Sequence, residues 1–221
     1  MPTKTFVSLN KKKQDLIFQA ALAEFADCGY TQASTNTICK KAGISKGSMF
    51  QYFPNKEDLF VFVIRRALKE ITYMYKVENI TYSDSMELKE IFISACFQMI
   101  RFYEKLPNHY RLYLRVNYEV DYPDWRTIRR YVNKHVTAVT AKFVEIGRKK
   151  SIIRSDVRTD LAQFFINNML FRLVELFFIP GLDSSLNIGQ DSESRKNLLE
   201  SVYEMLLQGM GGGTNGNDSK L

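Results

Sequence analysis

The segment KAGISKGSMFQYFPNKEDL, Lys41 to Leu59, constrains this chain most. Ser34 can cap a short helix that carries Ile38 and Cys39, and Gly43 suits its left-handed C-terminal cap. Ser45 can cap a second short helix, which Pro54 ends. Two short helices joined by so tight a turn read as a helix-turn-helix. The small Cys39 falls where the two helices must approach, and Met49 can pack the second helix back on its neighbours. Lys46, Gly47, Ser48 and Gln51 then face outward.

A helix placed this way enters the DNA major groove by its N-terminal end. Gly47 and Ser48 keep that end narrow, and free N–H groups at a helix start bind phosphate. Lys46 and Gln51 are long enough for base edges, lysine for guanine and glutamine for adenine. Tyr52 and Lys56 suit phosphate contact, which positions rather than specifies. Ser34, Thr35 and Ser45 complete the candidate DNA-facing set. The formal charge of +7 favours an acidic partner, nucleic acid or an anionic membrane. Lys11 to Lys13 fit either a phosphate clamp or a solvated helix start.

The remaining chain reads as helix after helix, with apolar residues at three and four spacings and few alternating stretches. Leu16, Ile17, Ala20, Ala21 and Phe25 form one face of a first helix stopping near Gly29. Asn55 can cap a fourth, with Glu57 and Asp58 in its first turn. Longer helices are expected over roughly 85–105, 109–120, 125–149, 156–179 and 192–208. The segment PGLDSSLNIG reads as a loop, and the glycine-rich end, 210–221, as a flexible tail. With 45% hydrophobic residues the chain can bury a real core. Charges interrupt its apolar patches, so no segment reads as membrane-spanning. Cys28, Cys39 and Cys96 are too widely spaced for a disulfide framework or a zinc site, and a reduced cytoplasm is the expected location.

GYTQASTNTICKKAGISKGSMFQYFPNKEDLF, Gly29 to Phe60, resembles the DNA-binding half of TetR-type transcriptional regulators in order and spacing. The resemblance covers the first quarter of the chain. It implies an all-α homodimer: a DNA-binding head over 1–56, a helical ligand-binding and dimerisation body over 57–209, and the tail. Phe50 stands where the family commonly has a phosphate-bonding tyrosine, and Cys39 where it commonly has alanine. Phe50 is expected to pack more than to face DNA. Cys39 is expected to be a small packing residue, or a redox switch if exposed with a stabilised thiolate.

The segment 156–179 is apolar nearly all round, as in a helix buried on more than one side. With the final helix it has the composition of the family's four-helix dimer seam, for which Leu170, Val174, Phe177, Leu198, Leu199, Val202 and Leu206 are the candidates. Asn168, Arg172 and Glu175 share one face, as polar anchors or as a local Arg172–Glu175 pair. Phe92, Cys96, Met99, Tyr110, Trp125 and Phe165, with Asn168 or Arg172 as anchor, are candidates for an apolar ligand cavity; the same spacing also suits plain core. His109 and His135 are isolated, so no metal site or cofactor is expected. No nucleophile, base and orienter converge, so enzyme activity is not expected. Two functions remain. One is a regulator, chiefly a repressor, released from a double-stranded operator by a small lipophilic or aromatic effector. The other is a DNA-binding organiser or division factor with no effector.

Overall fold

The computed structural model of the protein describes residues 1–77, 85–179, 182–183 and 191–210, with side chains described at all of these except 75–77, 135, 136, 138, 139 and 210. The expected tail beyond Met210, which itself ends the last helix, and most of the expected PGLDSSLNIG loop lie outside these residues. The described elements are helices: α1 (Lys4–Val7), α2 (Lys11–Gln32), α3 (Thr35–Ala42), α4 (Lys46–Tyr52), α5 (Lys56–Val77), α6 (Leu88–Lys105), α7 (Pro107–Tyr118), α8 (Trp125–Val136), α9 (Ala138–Lys149), α10 (Thr159–Phe178) and α11 (Ser192–Met210). The all-α expectation holds, with no strand among the described residues.

The chain packs as two units, one comprising Met1–Ile80 with Phe102–His135, the other Thr81–Arg101 with Val136–Leu221. Within the first unit α5 and α7 both pack on α2. In the first unit Phe18, Leu22, Phe25, Ile38, Met49, Phe53 and Phe60 are buried, and Phe25, Tyr30, Phe60 and Tyr122 form a chain of ring contacts. In the second unit Phe92 packs against Phe143 and Tyr203, with ring centroids 6.0 and 5.5 Å away.

Four local features depart from the sequence reading. The four-residue α1 has no apolar period to announce it; its buried side chain is Phe6, against Phe53 and Phe62. α2 does not end at Gly29 but kinks there, with φ 69° and ψ 178°. The expected helix 125–149 breaks at Thr137, whose carbonyl accepts both the Thr140 hydroxyl at 2.9 Å and the Ala141 N–H at 3.1 Å. Finally, α10 is long and apolar enough to cross a membrane by length and composition alone, a test that a buried core helix also passes. Its Ile166, Leu170 and Val174 are buried, and it carries Asp160, Arg172 and Glu175.

Candidate nucleic-acid interface

Each helix of the reading head starts at a side-chain cap. The Ser34 hydroxyl accepts the Thr37 N–H at 3.4 Å, and the Ser45 hydroxyl accepts the Ser48 N–H at 3.0 Å. The Asn55 side-chain oxygen Oδ1 accepts the Asp58 N–H at 2.7 Å. Gly43 closes α3 in the left-handed region, φ 65° and ψ 37°. Its N–H then reaches the Lys40 carbonyl and that of Ile44 reaches Cys39. The turn so formed aims α4, with α3 packed on α4 and on α2.

On α4 the buried Met49 points inward, while Lys46, Gly47, Phe50 and Gln51 are exposed. Phe50 is 49% exposed, so the expectation that it packs is only half met. The nearest non-neighbour atom to a side chain built at Gly47 is the Ser45 hydroxyl, 3.8 Å away, so that end of the helix is open. Ser45 and Ser48 hydroxyls bond each other at 2.9 Å, and Thr35 is half-buried at the start of α3.

Tyr52 and Lys56 both have partners inside the head. Tyr52 is buried, its ring edge-on to Phe6. The Lys56 ammonium donates to the carbonyls of Thr31 and Ala33, both at 3.1 Å, and lies 4.7 Å from the Tyr30 ring centroid. The end of α2 leaves carbonyls without helical donors, and Lys56 supplies one. Cys39 is buried and burial pushes its thiol pKa up, which removes the basis for a redox role. Cys96 is likewise buried and raised, while Cys28 is exposed.

Two positioning groups escaped the sequence reading. The buried Glu24 accepts the Ser34 N–H at 3.1 Å and the Lys41 ammonium at 3.0 Å, tying both ends of α3 to α2. Thr3 donates its N–H to the Tyr52 carbonyl at 3.0 Å and its hydroxyl to the Gln51 carbonyl at 2.7 Å, fixing the last turn of α4. Neither has a local pattern, since partners 10 and 48 residues apart meet only on folding.

Residues 17–62 match the family model for bacterial regulatory proteins of the tetR family. The reading head is a TetR-type DNA-binding segment. It is similar over 126 residues, at 23% identity, to the probable acrEF/envCD operon repressor of Escherichia coli K12, covering 56% of this chain and 55% of that one. Its fold resembles a TetR-family regulator from Chloroflexus aurantiacus, with TM-score 0.73, 23% identity, and 96% and 100% of the two chains covered. It also resembles FadR from Bacillus subtilis in complex with stearoyl-CoA, with TM-score 0.62, 19% identity, and 89% and 99% covered. The chain spans from 18% to 55% of the length of curated relatives that it matches.

The other candidate sites are placed less simply. Of the seam candidates, Leu170, Val174, Phe177, Leu199 and Leu206 are buried within this single chain, and Leu198 and Val202 are half-buried. The exposed apolar residues of these helices are Leu161, Phe164 and Phe165 on α10 and Met205 on α11, each at least half exposed. Because α10 is apolar nearly all round, its pattern did not show which face the chain itself would cover. Of the ligand candidates, Tyr110 and Trp125 belong to the first unit and the other six to the second. Phe92 and Cys96 are buried and Met99 is half-buried, while Phe165, Asn168 and Arg172 lie exposed on α10. The Asn168 amide donates to the Phe164 carbonyl at 2.7 Å, and Arg172 donates to the Leu182 carbonyl at 3.1 Å and lies 3.7 Å from Glu175. The second is the local pair. His109 is not isolated: buried, it bonds Glu70 at 2.9 Å. The His135 side chain lies outside the described residues.

Proposed function

We propose that the protein is a homodimeric DNA-binding transcriptional regulator, acting as a repressor. One observation carries this reading. The first turn of α4 is open and bears Lys46 and Gly47, Gln51 is exposed farther along the helix, and caps, Glu24 and Thr3 hold the helix from behind. A narrow, fixed, positively charged helix start is what major-groove reading requires. Lys46 and Gln51 read base edges, Ser45 and Ser48 lie against phosphate, and Tyr52 and Lys56 support the head from within.

The dimer forms through the apolar face that the chain leaves uncovered on α10 and α11. Leu161, Phe165, Asn168 and Arg172 fall on one stripe at four-, three- and four-residue spacings, with Phe164 beside it. Burying such a stripe against its two-fold copy removes apolar surface from water. The two reading heads then sit about one DNA turn, roughly 34 Å, apart. A dimer so placed excludes other proteins from the operator, in keeping with the name of the E. coli relative. Control by a small molecule is supported by the stearoyl-CoA held by the similar FadR. The cytoplasm is the place for such a regulator.

The test is selection of binding sites from random-sequence DNA. The reading expects a two-fold-symmetric operator with half-sites one turn apart. Recovery of no sequence preference would overturn it.

A further inference from the structure

A cleft of about 750 Å³ opens in the first unit, between α2, α5, the start of α7 and α8. Its walls are Phe62, Tyr73, Met74, Leu106 and Tyr131, all apolar or aromatic. Its charges are unequal. Lys11, Arg65, Arg66 and Lys69 line it, against the single carboxylate of Glu70. Arg66 is taken up by Asp15 and Glu70, and Lys11 lies 3.4 Å from Asp15. Arg65 and Lys69 are exposed and make no ion pair with a carboxylate among the described residues. Arg65 instead lies 5.8 Å from the Tyr131 ring centroid.

We propose that this cleft is an effector site for an organic anion, a carboxylate or phosphate head on a hydrophobic body, held by Arg65 and Lys69 with its body against Phe62, Met74 and Tyr131. The proposal rests on the regulator reading above. A pocket of this size, mostly apolar with a few convergent charges, is the usual form of a small-molecule site. Arginine suits a planar or tetrahedral oxyanion because its fork donates two parallel N–H groups. The floor supplies rigidity: Glu70 joins Arg66 at 3.1 Å and the buried His109 at 2.9 Å, so α5 and α7 are already linked beneath the ligand. The route to DNA is short. Pro2 lines the rim, and the next residue, Thr3, is the one bonded to the Gln51 and Tyr52 carbonyls of α4. An anion that binds better when this arm shifts lowers operator affinity by that preference.

The experiment titrates the full-length protein with decanoate, decyl phosphate, decanol and decyltrimethylammonium by calorimetry, and repeats the operator binding with each probe present. The two anions distinguish a carboxylate head from a phosphate head. We expect at least one anion to bind at one per chain, decanol about ten-fold more weakly, as loss of a charge-assisted bond implies, and the cation not at all. The R65Q/K69Q variant should lose about ten-fold of anion affinity and leave decanol unchanged. Because both residues are exposed, the variant should fold and bind operator as the parent does. The proposal is overturned if the variant binds the anion like the parent, if decanol binds equally well, or if a bound anion leaves operator affinity unmoved. Failure of the ligand-free parent to bind any operator would instead overturn the regulator reading, and with it the effector role, while the calorimetry still reports the site.

Discussion

The carboxylate of Glu24 on α2 accepts the backbone N–H of Ser34 at 3.1 Å, at the point where α3 begins. Its other oxygen holds Lys41 in the last turn of α3, so one buried side chain clamps the helix at both ends. Removing it with E24A leaves the Ser34 N–H without its acceptor and should cost about 1–3 kcal/mol. E24Q keeps an acceptor for that N–H and should cost less. Thermal melts rank the two. Operator binding by E24A should fall as well, because α3 carries the turn that aims α4; equal stability of E24A and parent would show that the clamp is idle.

At Gly29 the backbone adopts φ 69° and ψ 178°, a region reserved for glycine, in the kink of α2. A Cβ there would also lie 2.5 Å from a Glu119 carboxylate oxygen. G29A should therefore destabilise by about 1–3 kcal/mol from backbone strain alone, with the overlap added. Combining G29A with E119A should relieve only the overlap. A double variant as stable as E119A alone would mean that the backbone is not strained.

Glu70 gives an acid-limb prediction. Burial pushes its carboxyl up, but hydrogen bonds from His109 and Arg66 outweigh this and leave it below the ordinary value of 4.5. A carboxylate lowered in the folded state contributes stability that is present above its unfolded value and lost as pH falls through its folded value. The melting temperature of the parent should thus drop below about pH 4.5 more steeply than that of E70Q. Parallel curves for the two proteins would contradict the assignment.

The helices whose limits depend on neighbours in sequence were legible: Ser34, Ser45, Asn55 and Gly43 sit at the caps and turn expected of them. What was not legible depends on distant partners. Lys56 looks like a phosphate ligand until the end of α2 folds beside it. Glu24 looks like surface charge until α3 arrives. On α10 the apolar residues run round the helix, so no period distinguishes the buried Leu170 and Val174 from the exposed Phe164 and Phe165.

That distinction separates two substitutions on the proposed dimer helices. Phe164 is 65% exposed, and F164D should give a folded monomer at micromolar concentration with unchanged helicity. Leu199 is fully buried within the chain, and L199D should lose helicity and stability instead, by several kcal/mol, as expected for an unpaired charge placed in a core. Sedimentation and circular dichroism report both. A parent protein that sediments as a monomer would remove the seam.

The central claim is that α4 reads DNA through Lys46 and Gln51. The most direct measurement is the affinity of parent, K46A and Q51A for a selected operator and for every single-base variant of it. The account predicts that Q51A loses discrimination at one or two base pairs in each half-site, by about 1–3 kcal/mol, and that K46A loses it at different positions, while preferences elsewhere stay as in the parent. Profiles for both variants that match the parent at every base pair would contradict it.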